Sequence, residues 1–155
     1  MSSTPSTPFD RALTVPARVD QLRRVIAFVS QQAKTTGFSG KQLNSIELAV
    51  DEACSNIILH GYAGRDDGEI HIATHAEPGR RIVITLRDTG NPFDPATIPE
   101  HNPRAALDDL REGGLGIFLI RQSMDEVRFE FGLVGEHADE PPRYNRLTLT
   151  KHLKV

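Results

Sequence analysis

The 155-residue sequence has a single cysteine, Cys54, so no disulfide can form within the chain. A lone thiol fits a reducing, cytoplasmic compartment. No apolar run approaches the ~18 residues needed to span a bilayer, so no membrane helix is expected. A long basic run is also missing. The 18 Lys and Arg stand against 21 Asp and Glu, for a formal net charge of −3. That balance leaves no footprint for direct nucleic-acid binding. The polar start, Met1 to Pro8, lacks the apolar segment of a signal peptide and reads as a disordered tail. His60, His71, His75 and His101 form no metal-ligand spacing with Cys54. Cys54 falls near the apolar stripe of a helix and reads as a small core residue.

What remains suits one domain over residues 9–155 with one sizeable core. Arg11 to Val15 reads as a short strand ended by Pro16. Val19, Leu22, Ile26, Val29 and Ala33 recur at helical spacing, and Gly37 should end that helix. Ser39 and Gln42 have the spacing of a capping box. The helix they open would bury Leu43, Ile46, Val50, Ala53 and Ile57 and stop at Gly61. Ile70 to Thr74 and Ile82 to Leu86 read as a hairpin turning at Glu77, Pro78 and Gly79. The stretch from Thr89 to Gly113 carries Pro92, Pro95, Pro99 and Pro103, and loops of this length are often lids. A third helix runs from near Gly114 to Met124. Two strands follow, Val127 to Phe131 and Arg146 to Lys151, joined by a polar loop. Three helices and a strand-rich second half predict a two-layer α/β sandwich with the sheet covered on one face.

Three short segments carry chemistry. Glu52 and Asn56 lie one helical turn apart. At ~100° per residue, Asn56 falls about 80° and Glu52 about 120° from the centre of the apolar face. Both therefore sit at the border of the buried stripe. An amide oxygen there can coordinate a hard cation such as Mg²⁺. A carboxylate one turn away can accept a proton from a hydroxyl. Asp88-Thr89-Gly90 follows a strand. Its Asp can accept a hydrogen bond from an exocyclic amine, and its Gly permits close approach. Gly113-Gly114-Leu115-Gly116 opens a helix, where backbone N–H groups bind phosphate. No Gly-Lys-Ser/Thr follows, so it is not a Walker A loop, and the glycine spacing is not that of a dinucleotide fold. Taken singly, each segment has a plainer reading: a surface Glu with a helix-border Asn, an ordinary turn, a flexible hinge.

Taken together and in order, they resemble the N box and the two glycine boxes of the ATP-binding superfamily shared by gyrase, histidine kinases and MutL. Within it the chain is most similar to the anti-sigma-factor serine-protein kinases of the RsbW and SpoIIAB type. Leu48 to Tyr62 looks like their N-box helix. Gly114 to Ile117 and Met124 to Val127 look like their second glycine region and the strand after it. The likeness runs from about Leu13 to Leu153. It implies the GHKL (Bergerat) fold, with a mixed, mostly antiparallel sheet and helices on one face.

The resemblance also implies roles. Asn56 would ligate Mg²⁺, and Glu52 would be the general base that activates a serine hydroxyl on a partner. Asp88 would accept the adenine amino group, supported by Gly90. Gly113, Gly114, Leu115 and Gly116 would border the phosphates beneath a lid from Thr97 to Glu112. That lid carries Arg104 and Arg111, either of which could reach the γ-phosphate or lie solvated on the surface. One departure stands out. Where many members have Gly-Thr entering the last strand, this chain reads Asn145-Arg146-Leu147, with Thr148 the nearby candidate for the adenine site.

The implied function is phosphorylation of a serine on an anti-anti-sigma partner of the STAS type, together with sequestration of a sigma factor by a homodimer. The alternative is an ATP-dependent partner-switching module without transfer. The catalytic half of a histidine kinase is a third reading, but the first helix, Val19 to Lys34, contains no histidine.

Overall fold

The computed structural model describes residues 7–65, 67–92 and 115–154. Five strands form one sheet: β1 (Phe9–Pro16), β2 (Glu69–Glu77), β3 (Arg81–Asp88), β4 (Glu126–Val134) and β5 (Arg143–His152). Their spatial order is β1-β2-β3-β5-β4. Every pairing among the described residues is antiparallel, so the parallel part of an expected mixed sheet is not found among them. Side chains alternate along each strand. Ile70 and Ile72 of β2, Ile82, Ile84 and Leu86 of β3, and Leu147 and Leu149 of β5 all enter one core. The helices α1 (Leu22–Thr36), α2 (Gly40–Asn56) and α3 (Leu115–Ser123) lie on that face.

Helix α1 buries Val25, Val29, Ser30, Ala33 and Thr36, a stripe at helical spacing. Gly37 ends it as expected. At φ 121° the Gly37 N–H reaches the carbonyls of Ala33 and Lys34, and the Phe38 N–H also returns to Ala33. Val19 does not join this stripe. It lies in a short 3-10 turn before the helix and is 63% exposed.

The capping box is another expectation that fails. Ser39 occupies the N-cap position, but its side chain makes no capping hydrogen bond. Gln42 is engaged elsewhere: its Nε2 donates to the Lys154 carbonyl at 2.7 Å, and its Oε1 accepts from the Lys154 N–H at 3.0 Å. Helix α2 buries Ile46, Ala49, Val50, Ala53, Cys54 and Asn56. It continues into a wider π turn, Ile57–Gly61, in which the Tyr62 N–H reaches the Ile57 carbonyl at 2.9 Å. Such single wide turns often mark functional sites.

Candidate functional site

Two features of α2 and α3 meet at one end of a cleft. Glu52 and Asn56 project from successive turns of α2 toward Gly116 in the first turn of α3. A Cβ on Gly116 would stand 2.9 Å from Glu52 Oε2 and 3.3 Å from Asn56 Nδ2. Glycine is what lets the helices approach with these two side chains between them. Asn56 is only 7% exposed, and its Nδ2 has no hydrogen-bond partner among the described residues. A buried amide without a partner costs about 1–3 kcal/mol, so the site carries an unmet requirement. The Glu52 carboxyl titrates above its ordinary range, first because it is partly desolvated and second because Asp51 lies beside it. A raised carboxyl suits a group that must take up a proton near neutral pH.

The other end is built where three chain segments converge. Asp88, the last residue of β3, is 6% exposed. Its Oδ1 accepts from the Gly90 N–H at 2.8 Å and from Asn145 Nδ2 at 3.1 Å. The same Nδ2 donates its second proton to the Gly90 carbonyl at 2.9 Å. Asn145 Oδ1 in turn accepts from the Gly132 N–H at 3.2 Å. A carboxylate and a carbonyl can only accept, so the network fixes which atom of the Asn145 amide is nitrogen. Gly132, at φ +66°, occupies the irregularity between Glu130 and Leu133 where β4 slips against β5. Its left-handed backbone is the conformation glycine tolerates best in a bulge.

Gly90 packs directly on the π turn. A Cβ there would lie 2.5 Å from the Gly61 carbonyl carbon and 2.6 Å from its oxygen. The Asn91 N–H donates to that oxygen at 2.5 Å. Tyr62 pins the next residue: its hydroxyl donates to the Glu69 carbonyl at 2.6 Å and accepts from the Thr89 N–H at 2.9 Å. Burial pushes the Asp88 carboxyl above its ordinary range, and the Asn145 and Gly90 donors act in the opposite direction. Asn56, Ile57, Asp88, Ile120, Phe129 and Asn145 line a small pocket between the ends, ≈ 20 Å³ in volume.

Of the residues singled out in the sequence, Glu52, Asn56 and Gly116 are brought together, Asp88 lines one pocket with Asn56, and Gly90 is hydrogen-bonded to Asp88. Leu115 opens α3. Gly113, Gly114 and the whole lid with Arg104 and Arg111 lie outside the described residues. Thr148 is not brought to the cleft. It sits between the buried Leu147 and Leu149 and pairs with Thr85, which places it on the opposite face of the sheet. Asn145 is given no role from the sequence, where its only signal is that it stands at the place of the family's Gly-Thr pair; in the structure it pairs directly with Asp88 across β3 and β5.

Cys54 is fully buried and its thiol is pushed up to about 12, so it is inert packing rather than a nucleophile. No group of three or more His, Cys, Asp or Glu among the described residues could hold a metal by itself. Mg²⁺ commonly takes only one or two protein ligands and completes its shell with phosphates and water. The amide oxygen of the buried Asn56 could serve as one such ligand, and its Nδ2 could donate to a phosphate oxygen. No helix among the described residues is long and apolar enough to cross a membrane.

The family described as the histidine kinase-like ATPase domain matches residues 15–150, a span that includes Glu52, Asn56, Asp88 and Gly116. The chain belongs to that family. It is similar to the serine-protein kinase RsbW of Bacillus subtilis (strain 168), 31% identical over 122 residues that make up 76% of each chain. RsbW of Oceanobacillus iheyensis is 32% identical over 120 residues, 75% of each chain. RsbW of Halalkalibacterium halodurans is 33% identical over 122 residues, 76% of this chain and 74% of that protein.

Proposed function

We propose that this chain is a Mg-ATP-dependent serine-protein kinase of a partner-switching pathway, formed as one domain over residues 9–155. The observation that carries the reading is the meeting of Glu52, Asn56 and Gly116, with Asn56 and Asp88 in the wall of one pocket. In this reading Asp88 accepts the adenine amino group, and Gly90 allows the base-binding loop to rest on Gly61. Gly116, with Gly113, Gly114 and Leu115, borders the phosphates. Asn56 holds Mg²⁺, which supplies charge neutralisation for the phosphates.

Glu52 takes the proton from a serine hydroxyl of the substrate protein. The serine oxygen bonds to the γ-phosphorus, the bond from that phosphorus to the β–γ bridging oxygen breaks, and ADP leaves. Phosphoryl transfer depends mainly on positioning and electrostatics, which a general base and a rigid glycine-flanked helix start can supply. The substrate is an anti-anti-sigma protein of the STAS type. The chain acts in the cytoplasm as a homodimer that also sequesters a sigma factor. Similarity to RsbW proteins supports these partners.

The test is transfer of radiolabelled γ-phosphate from Mg-ATP to a purified STAS-domain protein, with Mg-ATP binding followed by calorimetry. The native chain should yield acid-stable phosphoserine. Glu52→Gln should lower transfer by at least about 10²-fold, the contribution of a general base, while still binding nucleotide. Undiminished transfer by Glu52→Gln would remove Glu52 from the mechanism. Tight Mg-ATP binding by the native chain without transfer would instead identify a nucleotide-dependent binding module.

A further inference from the structure

The Asn145 side chain has no donor left for a ligand. Its two amide protons go to Asp88 Oδ1 and the Gly90 carbonyl, and its oxygen receives the Gly132 N–H. It therefore acts through Asp88. With two donors on Oδ1, that oxygen is committed as an acceptor, and Oδ2 is left without a partner among the described residues. Any proton on the carboxyl must then sit on Oδ2, the oxygen available to a ligand.

The protonation state of Oδ2 decides what it can read. An ionised Oδ2 accepts a hydrogen bond, which matches an exocyclic amine such as that on C6 of adenine. A protonated Oδ2 donates one, which matches a carbonyl such as that on C6 of guanine. We propose that Asn145 is the positioning residue that keeps Asp88 an oriented acceptor and thereby sets the preference for adenine over guanine at this site. The inference rests on the nucleotide-binding reading given above and adds a specificity determinant to it. Burial alone works against ionised Asp88, and the Asn145 donor opposes that tendency. Losing the donor favours the protonated, guanine-reading form and also frees the carboxyl to rotate.

The experiment compares the native chain with Asn145→Ala and Asn145→Thr. Calorimetry with Mg²⁺ and non-hydrolysable analogues of ATP and GTP is run from pH 5.5 to 8. The native chain should prefer the ATP analogue across the range. Asn145→Ala should narrow the ratio by about tenfold, one hydrogen bond's worth of discrimination, and lose ATP-analogue affinity at a higher pH as pH falls. Asn145→Thr should recover part of both, because its hydroxyl still offers one donor. An Asn145→Ala protein that binds with the native ratio and native pH profile overturns the proposal.

Carbon-13 NMR of the Asp88 carboxyl, without nucleotide, gives a second readout. Asp88 should titrate higher in Asn145→Ala, and in Asn145→Thr should fall between Ala and native. Should the Ala variant fail to fold, Asn145→Thr carries the test alone, and native titration in it overturns the positioning role. A native chain that binds neither analogue overturns the proposed nucleotide function. The carboxyl titration still decides the positioning role in that case.

Discussion

At the base end of the cleft, Asp88 Oδ1, Gly90, Asn145 and Gly132 are hydrogen-bonded to one another. At the other end, Asn56 keeps a buried amide nitrogen without a partner among the described residues, and Glu52 is partly desolvated beside a like charge. The first end is held together by the protein's own hydrogen bonds, with Asp88 Oδ2 left over for a ligand. The second stays unfinished, at a cost in stability, which is the usual condition of a site completed by its ligand. Their glycines differ in the same sense. Gly90 has backbone against it, whereas Gly116 faces the tips of two side chains.

That contrast is most sharply tested by alanine at the two glycines. Gly90→Ala forces a methyl into the Gly61 backbone, where nothing can give way. We expect a loss of about 3 kcal/mol, or roughly 6–12 °C in Tm, by thermal and urea unfolding. Gly116→Ala meets a mobile carboxylate and should cost less than about 1 kcal/mol while weakening Mg-ATP binding. Equal losses would erase the distinction between the two ends.

Replacing the two asparagines by leucine gives an intermediate effect of opposite sense. Asn145→Leu strips partners from Asp88, Gly90 and Gly132 and should destabilise by about 2 kcal/mol. Asn56→Leu removes an amide that has an unmet group and should leave urea stability within about 1 kcal/mol of native, or raise it. A strongly destabilised Asn56→Leu would mean that the α2 end is as self-sufficient as the base end.

The smallest effect concerns pH. Asp88 titrates above its ordinary value of 3.8, so the folded state holds this proton more tightly than the unfolded state. Its contribution to stability is therefore greatest below that value and is lost as pH rises through the folded-state pKa. Asp88→Asn lacks this slope. Relative to native, the variant should become more stable as pH rises from 3 to 7, by less than the changes above, while losing affinity for adenine. Parallel pH profiles of native and variant in urea unfolding would show that the burial of Asp88 has no energetic consequence.

Local patterns were legible in the sequence because one element writes them. The apolar spacing of α1 and its stop at Gly37, the hairpin of β2 and β3, and the border position of Asn56 on α2 all follow from periodicity and glycine placement. The five-stranded sheet with helices on one face agrees with the expected α/β sandwich. Two of the misreadings, at Gln42 and Asn145, involve contacts between distant segments. Gln42 has capping-box spacing but turns to the backbone of Lys154, 112 positions away. Thr148 is adjacent in sequence to the residues of the site, yet strand alternation sends it to the opposite face. Asn145 reaches Asp88 across a separation of 57 residues, through a strand register that no spacing rule within one element can supply.

The same long separation governs when the site comes into being during folding. Asp88 and Asn145 meet only once β5 has docked on β3, and the Tyr62–Thr89 contact spans a further 27 residues. Closing loops of this size is slow compared with forming helices. A nascent or partly unfolded chain can carry a complete α2 and still lack the base pocket. Nucleotide that binds this pocket therefore selects finished molecules and, by mass action, draws the population toward them. Cellular ATP would thus act as a late-stage folding ligand, with resistance to proteolysis rising with its concentration.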